Sequence, residues 1–144
     1  MTSVRAAALL FGALLGTSCR PAEGPQPIIY DREGCAHCRM LISEPRFAAQ
    51  LLGADGTVAS FDDPGCLLAY QGERGEGAAG LWFHHLREDR WIEGTQVAFL
   101  PIDKTPMGYG LGAVDAGSPR ALSLAAARER VAARRARPEP GVAP

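Results

Sequence analysis

The sequence has almost no net charge. Its 15 basic and 16 acidic residues leave it at -1, so the chain as a whole carries no electrostatic footprint for a nucleic acid. It also lacks a long apolar run. The strongly apolar stretch from Ala6 to Leu15 falls short of the ~20 residues that a membrane-spanning helix needs. Sulfur is scarce, with 4 Cys and 3 Met. Cys35 and Cys38 form a Cys-x-x-Cys pair and no second pair exists, whereas structural zinc sites usually draw four ligands from two such pairs. Covalent haem attachment requires His directly after the second Cys, and Arg39 stands there. Nor does the pair sit between a strand and a long helix of a βαβ unit, the setting of a thioredoxin-type motif.

What is present begins with an export signal. Arg5 precedes the apolar run, and the small residues Gly16-Thr17-Ser18 precede Cys19. This reads as a signal segment over 1–18 with a bacterial lipoprotein processing site at Cys19, so the mature chain is expected on the periplasmic side, lipid-anchored at Cys19. Plain secretion is the alternative. Residues 19–27 contain three prolines and read as a semi-rigid, lipid-proximal linker.

The body is assigned to 28–117 and is long enough for one domain or two very small ones. Ile28-Ile29-Tyr30 is a short β-rich run. Arg46–Leu52 and Thr57–Phe61 read as strands joined by the turn Gly53-Ala54-Asp55-Gly56. Asp62-Asp63-Pro64 reads as a helix start, with an acidic cap and Pro at the first helical position. Cys66, Leu67, Leu68 and Tyr70 form that helix's inner side, and 72–80 is a glycine-rich loop. Leu81–Leu86 is rich in aromatics, 87–90 is a charged turn, and Trp91–Leu100 supplies one or two further strands. Residues 101–112 form a loop that carries Met107. The fold class is therefore α+β, with two small β-hairpin-plus-helix units, about 28–75 and 80–117, sharing one core.

After Gly117 the composition changes. Residues 118–144 form a basic helical or disordered tail, with six Arg against Glu129 between 120 and 137. The segment from Cys19 to Gly117 instead holds eight basic and fourteen acidic residues. The tail reads as a solvated helix or as a basic arm on anionic lipid, where each basic residue near the surface contributes ~1 kcal/mol.

Chemistry concentrates in Cys35-Ala36-His37-Cys38-Arg39-Met40. Thiolate and thioether sulfur favour Cu(I), zinc and iron–sulfur clusters over hard ions. In an extended segment, residues two apart share a face at ~6.5–7 Å, which would aim Cys38 and Met40 at one ion. A disulfide between Cys35 and Cys38 is the competing reading in an oxidising compartment. Asp62 and Asp63 read as helix-capping residues before they read as an acid–base pair. His84 and His85 are strand neighbours, so at most one faces any given site. Cys66 reads as a small buried apolar residue or as a bridge partner for Cys35.

Cys35-x-x-Cys38-x-Met40, then Phe61-Asp62-Asp63 with Cys66, then Thr105-Pro106-Met107-Gly108-Tyr109-Gly110, all behind a lipoprotein signal, together resemble the NosL family of lipid-anchored copper chaperones. The resemblance covers about 28–115. It implies two homologous α+β units and a Cu(I) ion held by Cys38, Met40 and Met107, with Cys35 and His37 as further candidates. Arg39 stands where many members have Gly, and His37 where they often have an aromatic residue. The resemblance also implies a carrier rather than an enzyme. Its acceptor would be apo nitrous oxide reductase, and the ABC transporter of the same assembly system an upstream partner. The alternatives are a periplasmic thiol–disulfide protein using Cys35 and Cys38, and a disulfide-stapled structural lipoprotein.

Overall fold

The computed structural model describes residues 23–75 and 77–137. The expected signal segment 1–18, the acylation site Cys19 and the chain beyond 137 lie outside the described residues. Among those described, no helix is long and apolar enough to cross a membrane.

The architecture is α+β, with two antiparallel sheets and two helices. Strands β1 (Ala49–Gly53), β2 (Val58–Phe61), β3 (Ala78–His84) and β4 (Trp91–Glu93) form a sheet in the order β2-β1-β3-β4. Strands β5 (Val97–Pro101), β6 (Leu111–Asp115) and β7 (Leu122–Ser123) form a second, in the order β6-β5-β7. Helix α1 (Pro64–Arg74) follows β2, and helix α2 (Leu124–Arg135) follows β7. One apolar core joins the two sheets. Phe61, Phe83, Phe99, Leu67, Leu111 and Ala127 are fully buried in it, and Phe83 meets Phe99 edge-on at 5.0 Å. Such aromatic pairs add ~0.5–1.5 kcal/mol beyond the area they bury.

The hairpin of β1 and β2 forms as its sequence requires, with Ala49 opposite Phe61 and Leu52 opposite Val58. The expected strand over 46–52 starts late, because Pro45–Phe47 closes a single 3-10 turn before the chain extends. Ile28-Ile29-Tyr30 is not a strand. The Ile29 carbonyl instead accepts the Arg32 and Glu33 amides, at 3.2 and 3.0 Å, in a turn. The linker is already docked at Gln26, whose backbone exchanges two hydrogen bonds with the buried Gln50 side chain. Two elements also run further than their sequences suggest. Helix α1 continues to Arg74 and β3 starts at Ala78, which shortens the expected 72–80 loop. β6 begins at Leu111, inside the stretch read as loop.

The sheets also divide the chain later than residue 80. β3 and β4 belong to the first sheet, with Leu51 paired to Leu81 and Phe83 to Ile92. The second sheet starts at β5 and is completed by β7 and α2. Helix α2 is neither frayed nor a free arm. Ser123 caps it by accepting the Ala126 amide, Ala127 and Val131 are buried against the core, and Arg135 reaches back to Glu73 on α1.

Candidate metal centre

Residues 34–41 form a tight hairpin. Gly34 and Leu41 make a β-bridge, the Cys35 amide donates to the Met40 carbonyl at 2.8 Å, and the Arg39 amide donates to the Cys35 carbonyl at 3.1 Å. The turn requires Arg39 at φ 70°, a left-handed conformation that costs an L-residue ~1–2 kcal/mol. The Ala36 amide docks the hairpin on β2 through the Ser60 carbonyl at 2.9 Å. The segment is thus not extended, so the expectation that Cys38 and Met40 share a strand face does not apply. Cys38 is half-buried, while Met40 is 60% exposed.

The hairpin faces the head of α1. Asp63 is the N-cap and one of its oxygens accepts the Gly65 amide at 2.8 Å. Asp62 precedes the cap and Cys66 lies in the first helical turn. This brings Cys35, Cys38, Asp62 and Cys66 together, with donor atoms all within 4.8 Å of one another. Cys35, Cys66 and Asp62 are buried, and all three thiols are free. Three sulfurs and a carboxylate at this spacing can hold a metal ion.

The thiols are electrostatically unequal. A hydrogen bond from Cys66 holds Cys35 down to about 6, against the opposing effect of burial. Donating that bond, together with burial, pushes Cys66 up. Burial pushes Cys38 up to about 12, and its neighbours Cys35 and Asp62 add to the shift. The Cys38 sulfur donates to Asp62 Oδ1 at 3.3 Å. A metal entering the cluster would displace the remaining protons, as thiol ligands generally require.

The second half of the chain meets this site through Asp63. Its other oxygen accepts the Met107 amide at 3.0 Å. Burial raises the Asp63 pKa, against the lowering effect of bonds from Thr105, Gly65 and Met107. Met107 is half-buried against the core. Its loop crosses α1 closely: a Cβ at Gly65 would sit 2.0 Å from Cγ of Tyr109, so only glycine fits there.

The remaining candidates lie elsewhere. His37 is 3.6 Å from Glu73 through Nδ1 and is not in the cluster. His84 contacts Asp89 and the ring of Trp91. His85 Nδ1 accepts the Arg87 and Glu88 amides, which closes the charged turn. Asp62 and Cys66 are the cluster members that sequence reasoning did not select. The readable signal was the helix start at Asp62-Asp63-Pro64, which places Cys66 at the helix head. No family model, characterised protein or solved structure matches the chain.

Proposed function

We propose that the protein is a periplasmic, lipid-anchored Cu(I) carrier that supplies copper for nitrous oxide reductase maturation. The observation that carries this reading is the cluster of three thiols and one carboxylate within 4.8 Å. Cu(I) is satisfied by two or three soft sulfur donors. Half-exposed Cys38 is the point of entry and exit. Met40 and Met107 are soft donors that guide the ion at the rim, and an acceptor adds its own ligand before the carrier releases the ion. The chain needs no catalytic group for this.

The accessibility of the thiols favours a carrier over a dithiol oxidoreductase. A redox nucleophile should be a low-pKa thiol that a partner can reach. Here the thiol held at about 6, Cys35, is 1% exposed, and the more open Cys38 is held protonated. A disulfide among the three would remove thiolate ligands and block loading, which makes the resting redox state a control on copper uptake.

The test is a competition titration of the reduced protein with Cu(I) and with Zn(II). Cu(I) should bind at one equivalent, and Asp62→Asn should weaken it less than about tenfold, since a hard carboxylate adds little to a soft ion. Tight Zn(II) binding that depends on Asp62, with weak Cu(I) binding, would replace the copper reading with a zinc site.

A further inference from the structure

We propose that the basic face of α2 beside the Met107 loop is the docking surface for the carrier's copper acceptor, and that the acceptor presents an acidic patch to it. This deepens the copper-carrier reading and rests on it.

Arg130 and Arg134, one turn apart on α2, are followed by Arg137 just past the helix C-cap Ala136. All three are exposed. With Ile102, Tyr109 and the Gly108 and Gly110 backbone they line a cavity of about 620 Å³. Asp103 is the one carboxylate on its wall, so three cations face one anion. Arg134 fixes this wall to the loop: its guanidinium donates to the Gly108 carbonyl and lies 4.9 Å from the centre of the Tyr109 ring. Arg130 reaches the same loop, with Nη2 3.6 Å from where a Gly110 Cβ would stand.

The other two arginines are left to act outward. Arg135 pairs with Glu73, and Arg90 with Glu88 and Asp115. Among the described residues, Arg130 and Arg137 form no ion pair. Two cations with no ion-pair partner, flanking the anchored Arg134, are suited to steering a partner, since complementary charge raises association rates by ~10–1,000-fold.

Position selects the partner. The loop these arginines line carries Met107, whose amide is bonded to Asp63, and Asp63 is the neighbour of the cluster residue Asp62. A partner seated on the arginines therefore stands against the loop whose Met107 carbonyl faces Arg134 and whose Tyr109 ring packs on Gly65, one residue before Cys66. A lipid surface in the same place would cover the loop that carries the rim donor Met107, so a protein acceptor is the occupant this geometry favours.

The experiment compares Cu(I) transfer from the full mature protein and from the double variant Arg130→Glu with Arg137→Glu. One recipient is a diffusible Cu(I) chelator and the other is apo nitrous oxide reductase. Both side chains are exposed and unpaired, so the variant should fold, and circular dichroism checks this. Transfer to the chelator should be unchanged. Transfer to the protein should slow about tenfold or more and lose its dependence on ionic strength, and the Arg130→Lys, Arg137→Lys variant should restore both. No copper uptake, and so none passed to the chelator, would overturn the carrier reading itself. Normal chelator transfer with equal protein transfer from variant and wild type would overturn only the docking surface, whereas normal chelator transfer with no protein transfer from either would overturn both the docking surface and nitrous oxide reductase as the acceptor. Loss of binding to anionic phosphatidylglycerol vesicles with protein transfer intact would assign the arginines to lipid and overturn it as well.

Discussion

Two irregular segments reach the head of α1, and they are held in opposite ways. The 34–41 hairpin is closed largely by its own backbone, through the Gly34–Leu41 bridge and the Cys35–Met40 and Arg39–Cys35 bonds. The Met107 loop has its own Thr105–Gly110 bond but is seated by other elements' side chains: Asp63 takes the Met107 amide and Arg134 takes the Gly108 carbonyl. A hairpin closed on itself presents its thiols in one arrangement, whatever happens far away. A loop seated by borrowed side chains can be shifted from a distance. The contrast suits the proposed carrier, with a self-closed hairpin bearing Cys35 and Cys38 beside a loop seated by α1 and α2 side chains.

The largest effect should come from the rigid side. Cys38→Ser is expected to weaken Cu(I) binding about a thousandfold, ~4 kcal/mol, because it removes a charged donor. Met107→Ala and Met40→Ala each remove a neutral thioether and should cost about tenfold to a hundredfold, ~1–3 kcal/mol. Chelator competition under anaerobic, reducing conditions measures all three. If both methionine variants match wild type, the ion is held by the cluster alone.

Next is a substitution that moves the loop without touching a donor. Gly65→Ala would drive a methyl group into the Tyr109 ring. Overpacking of this kind costs ~1–3 kcal/mol, visible in the urea midpoint. Copper affinity should fall toward the Met107→Ala value while Cys38 still binds. Unchanged stability would mean that Tyr109 does not seat the loop on α1.

A smaller effect separates the thiols by pH in the metal-free, reduced protein. Cys35 is depressed from 9.0 to about 6. Its contribution to stability is therefore full above pH 9 and is lost as pH falls from there through 6. Cys38 is raised to about 12, so its contribution is full below 9 and is lost as pH rises toward 12. Thiolate ultraviolet absorbance should show one thiol ionising near 6 and the others far higher. Three thiols titrating together near 9 would show that the hairpin does not hold Cys35 against Cys66.

The smallest effect concerns Arg39. Glycine relieves the left-handed strain of ~1–2 kcal/mol but loses ~0.5–1 kcal/mol in chain entropy. Arg39→Gly should thus raise stability by about 0.5 kcal/mol, read as a small upward shift in the urea midpoint. A clear drop would mean that the Arg39 side chain makes a contact that outweighs the strain.

Local chemistry alone determined much of the scaffold. The short strand runs and intervening turn of β1 and β2, and the acid–proline start of α1, act over neighbours a few residues apart, so their physics is written in adjacent letters. The α+β class and the concentration of sulfur around Cys35–Met40 were legible for the same reason. Tertiary structure alone decided which donors meet. Nothing in the 27 residues between Cys38 and Cys66 encodes their proximity locally. It arises because the hairpin docks on β2 at Ser60 and β2 feeds directly into α1. The backbone closure that turned Met40 outward and placed Arg39 at positive φ was likewise hidden, because a short apolar–polar segment fits a strand or a tight turn equally well until long-range hydrogen bonds choose. The arginine-rich segment shows the same limit: it becomes a packed helix, with Ala127 and Val131 buried, only when the core and Glu73 of α1 stand opposite it.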